Sequence, residues 1–95
     1  MDLQRHVHDI AEVIGWKDLE RVATRSDIAT TAIDACKANH PNDVEEQTVQ
    51  LLRIWMESQG SKAPQNLIQK LNDINRKGKV EKVIGILSPD NQNPV

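Results

Sequence analysis

The stretch Asp43-Val44-Glu45-Glu46-Gln47-Thr48-Val49-Gln50-Leu51-Leu52-Arg53-Ile54-Trp55 decides the fold. Apolar groups recur at Val44, Thr48 (through its methyl), Leu51, Leu52 and Trp55. That is the i, i+4, i+7, i+8, i+11 rhythm of one helical face. Glu45, Glu46, Gln50, Arg53 and Glu57 fall away from this stripe. Pro41-Asn42-Asp43 supplies a start signal, because Asn42 or Asp43 can cap and Glu45 or Glu46 follows at the third helical position. Gly60 supplies the stop. The pattern predicts a helix from Asp43 to Gln59, the longest element in the chain, with Val44 on its inner side. The other segments must pack around it.

Upstream, Leu3, Val7, Ile10, Val13 and Ile14 keep helical spacing and predict a helix from about Asp2 to Ile14. Gly15 interrupts it, and Lys17 to Arg25 reads as a short second helix with Leu19, Val22 and Ala23 inward. Trp16 sits at the corner between the two. Ser26-Asp27 has the character of a turn or cap. A third helix is expected from Thr30 or Thr31, since Thr31-x-x-Asp34 resembles a capping box, with Ile28, Ala32, Ile33 and Cys36 on its apolar side. Downstream, Pro64 suits a first helical turn, where its missing N–H had no partner. Leu67, Ile68, Leu71 and Ile74 form the stripe of a fifth helix. Gly78 is expected to end it, with Arg76 and Lys77 near the negative end of its dipole. Val80, Val83, Ile84 and Leu87 make a sixth, which Ser88-Pro89 stops. The fold class expected is all-α, a six-helix antiparallel bundle over residues 1–88, with a disordered C-terminal tail at 89–95.

Composition narrows the function classes. A chain of 95 residues argues for one domain with a modest core, built mainly from aliphatic side chains because Phe and Tyr are absent. The single cysteine, Cys36, excludes an internal disulfide and fits a reducing compartment. No apolar run approaches the ~18 residues of a membrane span, and no signal peptide is visible at the start. Net charge is −2 but uneven. Ten acids face five bases through Glu46, and four acids face seven bases from Gln47 onward. This polarity fits either an ordinary solvated surface or a module that docks acidic face to basic face.

The residues assemble no catalytic group. His6 and His8 are two apart on a helix and point to different sides, so they cannot readily share a metal. Cys36 lies on an apolar stripe and reads as a small core residue. The four glycines are isolated and form no phosphate loop. Glu45-Glu46 stand at a helix start, where the dipole stabilises acids. Arg76, Lys77, Lys79 and Lys82 form a basic group, but it lacks aromatic partners and the chain has a pI of about 5.9, so nucleic acid is not the expected ligand. No cofactor and no metal is expected. An interaction module is left.

Several motifs resemble those of death domains, the helical modules of cell-death signalling. Trp16-Lys17-x-Leu19-x-Arg21 is similar to the family's pattern across its first and second helices, and Ile33-Asp34-x-x-Lys37 to its third helix. Most specific is Glu46-Gln47-x-Val49-Gln50-Leu51-Leu52-Arg53-x-Trp55, followed by Gly60 and by Leu67-Ile68-x-x-Leu71. This run resembles the Fas-like receptors of the TNF receptor superfamily. The resemblance implies a domain on the cytoplasmic face of the plasma membrane, in a single-pass receptor, that makes no membrane contact itself. It implies homotypic contact with an adaptor death domain of the FADD kind, self-association, caspase recruitment and apoptosis. An adaptor, or another receptor of this type with a different partner, is the alternative.

The resemblance also implies contact residues. Asp34 and Lys37 keep the family's charge types, Arg25 and Asp27 lie close by in sequence, and Asp43 and Glu46 match at the start of the fourth helix. Two positions depart. The family's Arg at the end of the second helix falls on Thr24, and an acid of the third falls on Ala35. Ala32 also replaces a lysine. Together these remove the usual charge pair between the second and third helices.

Overall fold

A computed structural model describes residues 3–88. A short 3-10 turn, Gln4–His6, leads into α1, Val7–Arg25; α2 spans Thr30–Asn39 and α3 spans Val44–Gln59. A second 3-10 turn, Gly60–Lys62, precedes α4, Ala63–Asp73, and α5, Lys77–Leu87, closes the described chain. All regular structure among the described residues is helical. The tail expected to be disordered at 89–95 lies outside the described residues.

The count of α-helices is five rather than six, and Gly15 is the reason. Its φ of 79° and ψ of 160° break the helical geometry at one residue only. The two helices expected on either side abut there without a connecting loop, so α1 runs through the corner as a kinked element. Only glycine adopts such dihedrals without strain. The expected start at Asp2 lies outside the described residues; within them a 3-10 turn, Gln4–His6, precedes α1, which opens at Val7.

α3 is the centre of the packing. It lies most extensively against α1 and also contacts α2 and α4, while α5 rests on α4 and α1. Leu51, Leu52 and Trp55 are fully buried on α3, facing a core that includes Ile10, Ile14, Leu19 and Val22 of α1 and Leu67 and Leu71 of α4. The buried face is wider than the stripe in the sequence, since Gln47, Val49 and Met56 are buried too. The Gln47 amide donates to the His40 carbonyl at 2.7 Å, which satisfies it inside the fold. Trp55 donates its indole N–H to Ser26 Oγ at 2.8 Å, and Ser26 Oγ donates onward to the Val22 carbonyl at 2.8 Å. This relay ties α3 to the end of α1.

Val44 departs from expectation and is 60% exposed. It is the first residue of α3, and helical side chains tilt toward the N-terminus. Its side chain therefore points past the end of the core. Asp43 caps α3, accepting the Glu46 backbone N–H at 3.1 Å, and Gly60 ends it at φ 66°. The capping box expected at Thr31 does not form. α2 starts at Thr30, with Ala29 as N-cap and no side-chain cap bond. The Ala29 carbonyl instead accepts the N–H groups of Ala32 and Ile33 directly.

Gly78 does not end a helix. Asn75, at φ 62°, makes the left-handed turn after α4, and the Arg76 N–H reaches back to the Leu71 carbonyl at 2.9 Å. Gly78 lies inside the first turn of α5. Arg76 and Lys77 thus stand at the positive N-terminal end of a helix rather than at a negative C-terminal end. That placement is unfavourable unless an acid compensates it.

Candidate interaction surface

The compensating acid is Asp18 of α1. Its carboxylate is buried, and Oδ2 accepts from Arg76 Nε at 2.9 Å and from Lys79 Nζ at 2.6 Å. Arg21 Nη1 stands 4.0 Å from Oδ1, and Lys79 also donates to the Ile14 carbonyl. Burial alone pushes the Asp18 carboxyl up; the hydrogen bonds and positive charges of Lys79 and Arg76 outweigh it and hold the group below the ordinary aspartate range. Sequence reasoning passed over Asp18. A signal was present: Ile14, Asp18 and Val22 are spaced by four, so an acid sits on the buried stripe of α1. Two of the four bases in the basic group, Arg76 and Lys79, are thereby engaged by Asp18, although the Arg76 side chain stays 45% exposed. Lys77 and Lys82 remain exposed.

The six residues expected to meet a partner fall into three places. Arg25 and Asp27 flank the α1–α2 turn, both exposed, with Asp27 at a left-handed φ of 65°. Asp34 and Lys37 lie one turn apart on α2, both exposed. Asp43 and Glu46 open α3, where the former caps the backbone of the latter. Asp43 is therefore committed in part to its own helix.

Lys37 is committed too. Its Nζ lies 5.6 Å from the centroid of the half-buried Trp16 ring and 3.7 Å from Glu20 Oε2. The family's charge pair, absent at Thr24 and Ala35, has a counterpart in Glu20 and Lys37. It links the same two elements, α1 and α2, but with acid and base exchanged between them. Thr24 and Ala35 themselves are exposed.

The remaining chemistry is sparse. Cys36 is fully buried on α2, and burial pushes its thiol up, away from the reactive thiolate. No three His, Cys, Asp or Glu side chains among the described residues gather closely enough to hold a metal ion. No helix among them is long and apolar enough to cross a membrane. Thus the arrangement offers charged helix surfaces and turns over an aliphatic core.

Residues 4–87 match the death-domain family along nearly the whole chain, and the protein belongs to that family. Its similarity extends to particular receptors. It is 31% identical over 96 aligned positions to tumor necrosis factor receptor superfamily member 6 of Rattus norvegicus, covering 100% of this chain and 30% of that protein. It is 32% identical over 91 positions to the protein of the same name from Sus scrofa, covering 95% of this chain and 27% of that one. The chain thus spans less than a third of the length of these relatives. No solved structure matches it at comparable significance.

Proposed function

We propose that this is the intracellular death domain of a Fas-like death receptor, and that it works by contact rather than by catalysis. The observation that carries this reading is the similarity to superfamily member 6 over the full chain. Ligand-driven clustering of the receptor would bring several copies of the domain together. The clustered copies recruit an adaptor death domain of the FADD kind, which leads to caspase activation. Each contact is weak alone and becomes effective through multivalency.

The surface proposed for this contact runs from Arg25 and Asp27, along Asp34 and Lys37 of α2, to Asp43 and Glu46 of α3. Asp34 is its best probe, because it is exposed and sits in mid-helix away from any cap. Lys37 contributes indirectly, by holding α2 on Trp16 and Glu20. The test mixes the domain with an adaptor death domain and follows complex size by light scattering against salt. Charge-steered complexes shrink as screening rises, and Asp34→Lys prevents them. Complexes indifferent to both salt and Asp34→Lys would refute the electrostatic surface.

A further inference from the structure

Val44 and Ile84 are the two large apolar side chains exposed among the described residues, at 60% and 40%. Val44 borders a groove of about 270 Å³ between α1 and the start of α3. Ala11, Gly15 and Trp16 continue its apolar lining, and Glu12, Glu45 and Thr48 complete it. The groove is open beside Gly15, where an added Cβ would meet nothing within 4 Å. Thr48 has already donated its hydroxyl to the Val44 carbonyl at 2.7 Å. The walls therefore present apolar surface and two carboxylates, with no cation among the lining residues.

We infer that this groove docks a basic amphipathic helix of a different protein, one aliphatic side chain seated against Val44 and Trp16, with lysine or arginine meeting Glu12 and Glu45. The volume lies below the ~300–1,000 Å³ usual for small-molecule sites and suits an anchoring side chain better than a cofactor. Anchors at i, i+3 or i+4 flanked by cations are the natural complement of an apolar groove with an acidic rim. A second copy of this chain is a poorer match. Its other large exposed apolar side chain among the described residues, Ile84, shares a face of α5 with Glu81 one turn away and Lys77 two turns away, so an acid offsets the base there. That acid would approach Glu12 and Glu45. The acidic rim likewise repels an anionic membrane. The inference stands apart from the receptor–adaptor reading, and its test needs no adaptor.

The probe is a helical Leu/Lys amphipathic peptide, compared with a Leu/Glu peptide of the same pattern. Intrinsic fluorescence reads the binding. Trp55 is fully buried and bonded to Ser26, so an emission change on binding reports Trp16. The Leu/Lys peptide gives a saturable emission change, and the Leu/Glu peptide gives none. Val44→Gln weakens binding about tenfold by removing the apolar anchor. The double variant Glu12→Gln, Glu45→Gln removes most of the salt dependence. No emission change with the basic peptide, equal binding of the acidic one, or undiminished binding by Val44→Gln each overturns the inference. So does a concentration-dependent dimer in sedimentation that Val44→Gln abolishes, since the groove would then belong to a second copy.

Discussion

Asp18 and Lys79 stand 61 residues apart in sequence and meet at 2.6 Å, carboxylate to ammonium, where α1 and α5 pack together. Arg76 shares the same carboxylate oxygen at 2.9 Å. One buried acid thus partly offsets two cations at the N-terminal end of α5, where the helix dipole disfavours them. Asp18→Asn keeps the shape but removes the charge that both bases address. The bases are partly exposed and recover some hydration, which limits the damage. The expected loss is about 1–3 kcal/mol, read as a lower urea midpoint with an unchanged slope.

The same carboxylate makes stability depend on acid. Its folded-state pKa lies below its unfolded value, so its contribution is fully present above the unfolded aspartate value of about 3.9. It is lost as pH falls through the lower, folded value. Urea titrations from neutral to acidic pH should therefore show the wild type losing its advantage over Asp18→Asn in that acidic window. A constant difference between the two proteins across the window would rule this out.

Trp55 and Ser26 provide a second cross-link. Trp55→Phe retains most of the buried ring and loses the indole N–H bond to Ser26. The cost should be about 1–3 kcal/mol, from the lost bond and the smaller ring. Trp55→Ala should cost about 3–5 kcal/mol. Thermal or chemical unfolding measures both, and equal losses for the two variants would show that the bond, not the ring, dominates.

Asp43 and Asp34 separate capping from recognition. Asp43→Ala removes the acceptor for the Glu46 N–H and should cost about 1 kcal/mol of stability. Asp34→Ala, at an exposed mid-helix position, should stay within about 0.5 kcal/mol of wild type. If Asp34→Ala weakens adaptor binding without moving the unfolding midpoint, Asp34 is a contact. A matching stability loss would make it structural.

Lys37 is expected to hold α2. Lys37→Ala removes the cation over the Trp16 ring and the ion pair with Glu20. Hydrogen exchange should quicken in α2 by a few-fold, consistent with about 0.5–1 kcal/mol for an exposed cation–π contact, and leave the α3 amides unchanged. Equal quickening in α3 would mean that Lys37 acts on the whole domain.

The central helix was legible because its cap, stripe and stop agree at every level, from Asp43 through Trp55 to Gly60. Its inner face was read too narrowly at one end and too generously at the other. Periodicity cannot tell that the first residue, Val44, overhangs the core, or that Gln47 is buried with a carbonyl waiting at His40. Gly15 was recognised as an interruption, but a single glycine can end a helix or merely bend it, and neighbouring segments decide which. Gly78 misled for a related reason: Asn75 already held the left-handed turn that Gly78 was expected to make. Asp18 was hardest to see, because its partners lie in another helix and only tertiary packing joins them. Of the expected contact residues, the sequence indicated type and neighbourhood. That Asp43 and Lys37 are already engaged within the domain required geometry.

The bond between Asp18 and the start of α5 also orders events in time. As the chain leaves the ribosome, α1, α2 and α3 are complete well before Arg76 and Lys79 exist. A carboxylate destined for burial must wait in water until its cations are synthesised. Closing so long a loop is entropically costly and comes late. The domain is thus expected to finish folding only when α5 arrives, so a nascent chain that stops short of α5 would stay protease-sensitive at α1.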